Sequence, residues 1–176
     1  MRNFQRTNFQ RGFSLIEVLI AVLIFTLGLL GVAALLVLAT QANHGGYVRT
    51  QVTYLAHNMA DRMSANPIAV WNGAYNSSFY PISGTSNCNA GCSVSQLATY
   101  DQQAWSRQLE TFLAEPQASI SCRRAGSGFA VTTAQMETRP PFGGTCTMTI
   151  TWNDRGYGGE SDRETAAQTF AWEFQP

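Results

Sequence analysis

The sequence predicts an α+β protein: one long N-terminal helix, one short extra helix, and a C-terminal antiparallel sheet of about four strands. Three observations predict it. Residues 18–39 carry no charge, and Thr26 is their only hydroxyl-bearing polar side chain. Val48, Val52, Leu55, Met59 and Met63 then recur at helical spacing. Finally, Cys146, Met148, Ile150 and Trp152 alternate with Thr147, Thr149 and Thr151, and Phe170, Trp172 and Phe174 alternate with Ala171 and Glu173, the period of a half-buried strand.

Residues 1–12 are polar and basic, without periodicity, and read as a cytoplasmic leader that is later cleaved. Residues 13–39 are long enough to cross a bilayer, which takes about 20 apolar residues. An ordinary secretory signal fits poorly, because its apolar core is about 7–15 residues followed by a small-residue cleavage site. Arg2, Arg6 and Arg11 precede the span, and no arginine follows it until Arg49. Positive residues stay on the cytoplasmic side, so residues 40–176 are expected in the periplasm or outside. Gly28, Gly31 and Ala34 sit about one turn apart, a spacing that lets helices pack closely.

Residues 40–66 read as a soluble continuation of the helix. The apolar face above is expected to pack on the head, with Gln51, Asn58, Asp61 and Arg62 solvated. Gly45-Gly46 is expected to be a weak point, at about 1 kcal/mol per glycine relative to alanine. Pro67 sets the end of the helix near Asn66, since it disfavours helical geometry in the residue before it.

The head then occupies residues 67–176. Its first part, residues 67–97, is rich in Gly, Asn, Ser and Pro and reads as a long irregular connection tied by a Cys88–Cys92 disulfide. Residues 99–115 read as the second helix, with Thr99 and Gln102 as a capping box and Trp105, Leu109, Phe112 and Leu113 as its apolar face. Strands are expected over residues 118–122, 145–153 and 170–174, with a weaker one over 129–133. A Cys122–Cys146 disulfide would staple two of them. All four cysteines lie on the exported side, where an even number reads as disulfides. Residues 154–165 read as a polar hairpin loop.

The chemistry of the chain excludes several functions. The 11 basic residues are all arginine. Loss of the leader removes Arg2, Arg6 and Arg11 and leaves eight arginines against 11 acids, a balance of −3. That opposes nonspecific nucleic-acid binding, which neutralises phosphates with basic residues. His44 and His57 lie apart on the helical stretch, and no nucleophile–base constellation, phosphate loop or metalloprotease motif is present, so no catalytic, cofactor or metal residues are assigned. Asp154, Glu160, Asp162 and Glu164 are oxygen donors suited to calcium, but their order matches no loop motif, and they read as a solvated acidic loop.

The chemically unusual point is Gly12-Phe13-Ser14-Leu15-Ile16-Glu17. A carboxylate in a hydrocarbon-spanning helix costs about 2.5–3.5 kcal/mol or more at mid-membrane and needs a partner. Cleavage after Gly12 would supply one, because the new amine of Phe13 lies four residues before Glu17, on one helix face. The same amine on a neighbouring chain would make Glu17 a register device for packing helices. These residues resemble the class III signal of type IV prepilins. The resemblance implies cleavage between Gly12 and Phe13 by a prepilin peptidase, N-methylation of Phe13, and the ladle-like pilin fold, in which the sheet covers the apolar face of the stem's second half.

Further along, Tyr47-Val48-Arg49, Ala56, Met59-Ala60-Asp61-Arg62-Met63 and Asn66 resemble the stem of PilV-type minor pilins. Asp101, Trp105 and Leu109, followed by Thr149-Ile150-Thr151-Trp152-Asn153-Asp154, resemble their heads. The stem lacks the proline of major pilins. The resemblance implies a minor pilin that primes pilus assembly in the inner membrane with other minor pilins and the major pilin. It implies a final place at the pilus tip with an adhesin. A minor pseudopilin of a type II secretion system, which shares the N-terminus, is the alternative.

Overall fold

The computed structural model describes residues 12–126, 131–154 and 166–176. Helix α1 runs over Leu15–Ala65, and the chain divides into two compact units at Ala42/Asn43. The architecture is α+β and pilin-like: a long apolar N-terminal helix followed by short helices and an antiparallel sheet.

In the first unit, an 18-residue stretch of α1 has mean hydropathy 2.8. Its large apolar side chains are at least half exposed, from Val18 at 50% to Leu15 at 86%. An apolar surface of this extent marks contact with lipid or with other proteins, and the helix fits a single-pass membrane anchor.

In the second unit, α1 turns an apolar stripe into a core. Val52, Leu55, Met59 and Met63 are fully buried, and Val48 packs at the edge of the same cluster. The helix runs continuously through Gly45-Gly46, the expected weak point. It stops at Ala65, and Asn66 leaves helical geometry at φ −128°. Pro67 then opens a second short helix, α2 (Pro67–Trp71), because a proline at the first helical position has no needed N–H to lose.

The expected irregular stretch 67–97 therefore holds α2 and a strand, β1 (Ser77–Tyr80). Beyond β1 the connection is held by side chains of α3 (Val94–Phe112). Ser106 Oγ accepts from Ile82 N at 2.8 Å, Gln103 Oε1 accepts from Ser86 N at 2.8 Å, and Arg107 Nη1 donates to Gly84 O at 3.1 Å. Gly84 has φ 151°, a backbone conformation that other residues rarely adopt. Helix α3 starts five residues earlier than the Thr99 signal placed it. Ser93 and Gln96 form the capping box, whereas Thr99 bonds the Ser95 carbonyl inside the helix and Gln102 turns into the core. The helix ends at Phe112, which is 47% exposed and leaves the apolar face to Ala98, Trp105 and Leu109, with Leu113 just beyond.

The sheet has the order β1-β2-β3-β4, all antiparallel, with β2 at Gln117–Arg124, β3 at Gly144–Asp154 and β4 at Ala166–Phe174. Alternation places Ala118 and Ile120 of β2 and Cys146, Met148, Ile150 and Trp152 of β3 in the core. The expected strand over 129–133 is replaced: Val131 and Thr132 are outside any strand, and Thr132 caps the short helix α4 (Thr133–Met136). Phe129 and the loop residues 155–165, with Glu160, Asp162 and Glu164, lie outside the described residues, as do leader residues 1–11.

Two disulfides are formed. Cys88 and Cys92 are bonded across a four-residue separation, and Cys122 and Cys146 face each other directly across the β2–β3 ladder. Chain entropy makes the longer closed loop worth about 3.5 kcal/mol and the shorter about 2 kcal/mol. The double variant Cys122→Ala/Cys146→Ala should therefore lose more thermal stability than Cys88→Ala/Cys92→Ala, by roughly 1.5 kcal/mol. Calorimetry of the detergent-solubilised full chain checks this, and equal losses would contradict it.

Candidate functional site

Two places carry chemistry. The first is the front of α1. Ser14 caps the helix: its Oγ accepts from Ile16 N at 3.3 Å, and its carbonyl accepts from Glu17 N at 3.1 Å and Val18 N at 3.3 Å. A cap with a short hydroxyl satisfies N–H groups that would otherwise be orphaned at the edge of an apolar run. Phe13 stands just outside the helix and is 85% exposed. Glu17 lies in the first turn, where the helix dipole favours a carboxylate. Phe13, Glu17, Ala21 and Phe25 line one open face with Val18 and Val22. The face is apolar except for that single carboxylate. The capping role of Ser14 escaped the sequence reading, although a serine just before an apolar run is the signal for it.

Residues 7–33 match the family model of the prokaryotic N-terminal methylation motif. No curated protein and no solved structure matches the chain. The motif supports a type IV pilin-like prepilin. It implies processing by a prepilin peptidase and assembly with other pilins, and its family is structural and not enzymatic. Among the described residues, no cluster of three His, Cys, Asp or Glu side chains is placed to hold a metal ion.

The second place is a polar chain inside the head that joins the end of α1 to α3. Arg62, expected in solvent, turns inward: its Nε donates to Asn58 Oδ1 and its Nη1 to Asp101 Oδ1, each at 2.9 Å. The Tyr75 hydroxyl donates to the other Asp101 oxygen at 2.8 Å and accepts from Asn66 Nδ2 at 3.3 Å. Asn66 also donates to the Val94 carbonyl at 3.0 Å. Alongside, Gln102 Nε2 donates to Ala74 O at 2.9 Å and to the Tyr80 hydroxyl at 3.0 Å, and Trp105 Nε1 donates to the Leu55 carbonyl at 2.8 Å. Asp101 and Arg62 were visible as separate residues of a resemblance, but nothing in their spacing said that they pair across 39 positions.

A buried ion pair yields little net stability relative to apolar packing, but removing one partner strands a charge. The chain therefore fixes one arrangement of α1 against α3 more than it deepens the fold. Burial pushes the Tyr75 phenol well above its ordinary value near 10, and its bond to Asp101 adds to the rise. Burial raises Tyr80 likewise, against a smaller opposing effect of Gln102. Both groups are acids held neutral by the fold. Their contribution is complete below about pH 10, where the unfolded phenol begins to ionise, and is lost as pH rises toward the folded values.

Stability of the full chain should fall above about pH 10 by up to about 1.4 kcal/mol per pH unit for each of these two tyrosines. Denaturation of the wild type and of Tyr75→Phe/Tyr80→Phe from pH 9 to 11.5 should show a shallower fall in the variant. Identical slopes would show that the two phenols carry no such linkage.

Proposed function

We propose that this protein is a PilV-type minor pilin that helps initiate type IV pilus assembly at the inner membrane and is built in at or near the pilus tip. In this reading, prepilin peptidase cuts between Gly12 and Phe13, and Phe13 is N-methylated. Residues 13–39 cross the inner membrane, residues 40–66 form the stem, and the head at 67–176 faces the periplasm before assembly. Assembly with other minor pilins and the major pilin carries it to the cell surface, where with a tip adhesin it supports adhesion and twitching motility.

One observation carries the finer reading. The residues of the stem and head resemblances, far apart in sequence, meet in space: Arg62 and Asn66 on one side, Asp101, Trp105 and Leu109 on the other. A shared polar connection between stem and head is harder to obtain by chance than either stretch alone. The N-terminal motif by itself serves secretion pseudopilins equally well, and that is the alternative.

The front face of α1 suits assembly. The Phe13 amine freed by cleavage would be the one cation near Glu17, either in the same chain or in a neighbour. Pairing neutralises a carboxylate that the bilayer disfavours, and it sets the register of packed helices. Glu17→Ala should still be cleaved after Gly12 and should lower recovery of partner pilins by about threefold to thirtyfold, the range for one polar contact between membrane helices. Unchanged recovery would remove the ion pair from the assembly step.

A strain lacking this protein tests the function itself. Surface pili should be few while total major pilin stays normal. Normal piliation combined with lost protein secretion would reassign the protein to a type II secretion system.

A further inference from the structure

The sheet of the head ends on two edges, and they differ. At one edge, β1 has four residues, its register with β2 is irregular, and Pro81 follows it directly. Short length, irregular pairing and proline all blunt an edge against further pairing. At the other edge, β4 has none of these devices. It has nine residues, no proline or glycine, and one charged side chain, Glu173. Its register with β3 is unbroken from the pair Asp154 and Ala166 to the pair Cys146 and Phe174.

Alternate residues of a strand direct their N–H and C=O groups to opposite edges. About half of the β4 backbone groups therefore point away from β3. Among the described residues, no strand pairs with them, and no loop or helix backbone bonds to them. The core thins at the same place. Cys146, Met148, Ile150 and Trp152, the inward side chains of β3, are buried, whereas Gln168, Phe170 and Trp172, one strand over, are half-buried. Trp172 rests on His57 of α1, with ring centroids 4.5 Å apart. A row of unpaired backbone donors and acceptors recognises another extended backbone. Half-covered Phe170 and Trp172 call for apolar side chains at every second position of that backbone.

We propose that the outer edge of β4 is a docking site for an extended segment of a partner pilin, which pairs with it as a fifth strand. The N-terminal motif implies assembly with other pilins and so supplies such a partner. This choice of occupant rests on the pilin reading, whereas the pairing edge itself does not.

The edge is tested without any pilin. The probe is a capped heptapeptide of alternating valine and threonine, titrated into the full chain in detergent and followed by amide NMR. Every second amide of β4 should shift saturably and exchange with solvent at least about tenfold more slowly. The same peptide N-methylated throughout keeps its side chains and loses its donors, and it should bind about tenfold more weakly or worse. Amides of β4 that stay still, that answer the N-methylated peptide equally, or that are all slow in the chain alone would overturn the proposal. Slowing on concentrating the chain alone would assign the edge to a second copy and overturn it as well.

Proline substitution tests the occupant. Neighbouring amides point to opposite edges, so of Gln168→Pro and Thr169→Pro one removes a bond to β3 and lowers the melting temperature. The other removes an outward donor and keeps it. The variant that keeps its melting temperature should recover partner pilins about tenfold less than wild type. Unchanged recovery alongside peptide binding would show that the occupant is not a pilin. A wild-type chain that recovers no pilin would overturn the pilin reading and the occupant with it, while the peptide titration judges the edge by itself.

Discussion

One helix has to satisfy two environments. From Val18 through the end of the uncharged run, α1 is apolar on every side and its large apolar side chains are exposed. Such a surface is stable only against hydrocarbon or against other apolar helices. From Val48 onward the same helix is apolar on one stripe only, and that stripe is sealed in the core of the head. The change from an all-round to a one-sided pattern decides where the globular part begins. Four side chains of α1, Val52, Leu55, Met59 and Met63, are fully buried there.

Apolar cover alone would leave the orientation of α1 loosely specified, because a stripe of Val, Leu and Met accepts many partners. The polar chain through Arg62, Asp101, Tyr75 and Asn66 narrows the choice, since each group finds its acceptor or donor in one arrangement only. The Trp105 indole adds a second fixed point by donating to the Leu55 carbonyl on the buried stripe itself. The disulfide between Cys122 and Cys146 joins β2 and β3, which already pair, and limits the unfolded chain.

Features with a local period were legible in the sequence. The membrane-length helix, the stripe from Val48 to Met63 and the alternation of β3 and β4 all follow from repeats of 3.6 or 2. Features set by competition between nearby signals were less so. Thr99 and Ser93 are both good caps, and the choice fell to Ser93 because Gln102 is drawn into the core by the Ala74 carbonyl. Pro67 reads as a stop and is equally a start. Strand β1 has four residues and a register irregularity, too short for a period to show. At the front of α1, Phe13 and Glu17 announce themselves by chemistry, since a carboxylate in an apolar run demands an explanation.

The exclusive use of arginine as the basic residue has a physical reading in the head. Arg62 forks between Asn58 and Asp101. Arg124 donates to the Trp71 carbonyl at 3.0 Å with its guanidinium 5.7 Å from the Trp71 ring centre. Arg107 reaches across to the Gly84 carbonyl. Each uses the flat, multi-donor guanidinium to join segments distant in sequence, which a lysine ammonium does less well because it lacks the fork and the stacking face. Among the described residues, the Arg49 side chain makes one long bond, to the neutral amide of Gln168. The arginines that hold the head together spend their donors on it.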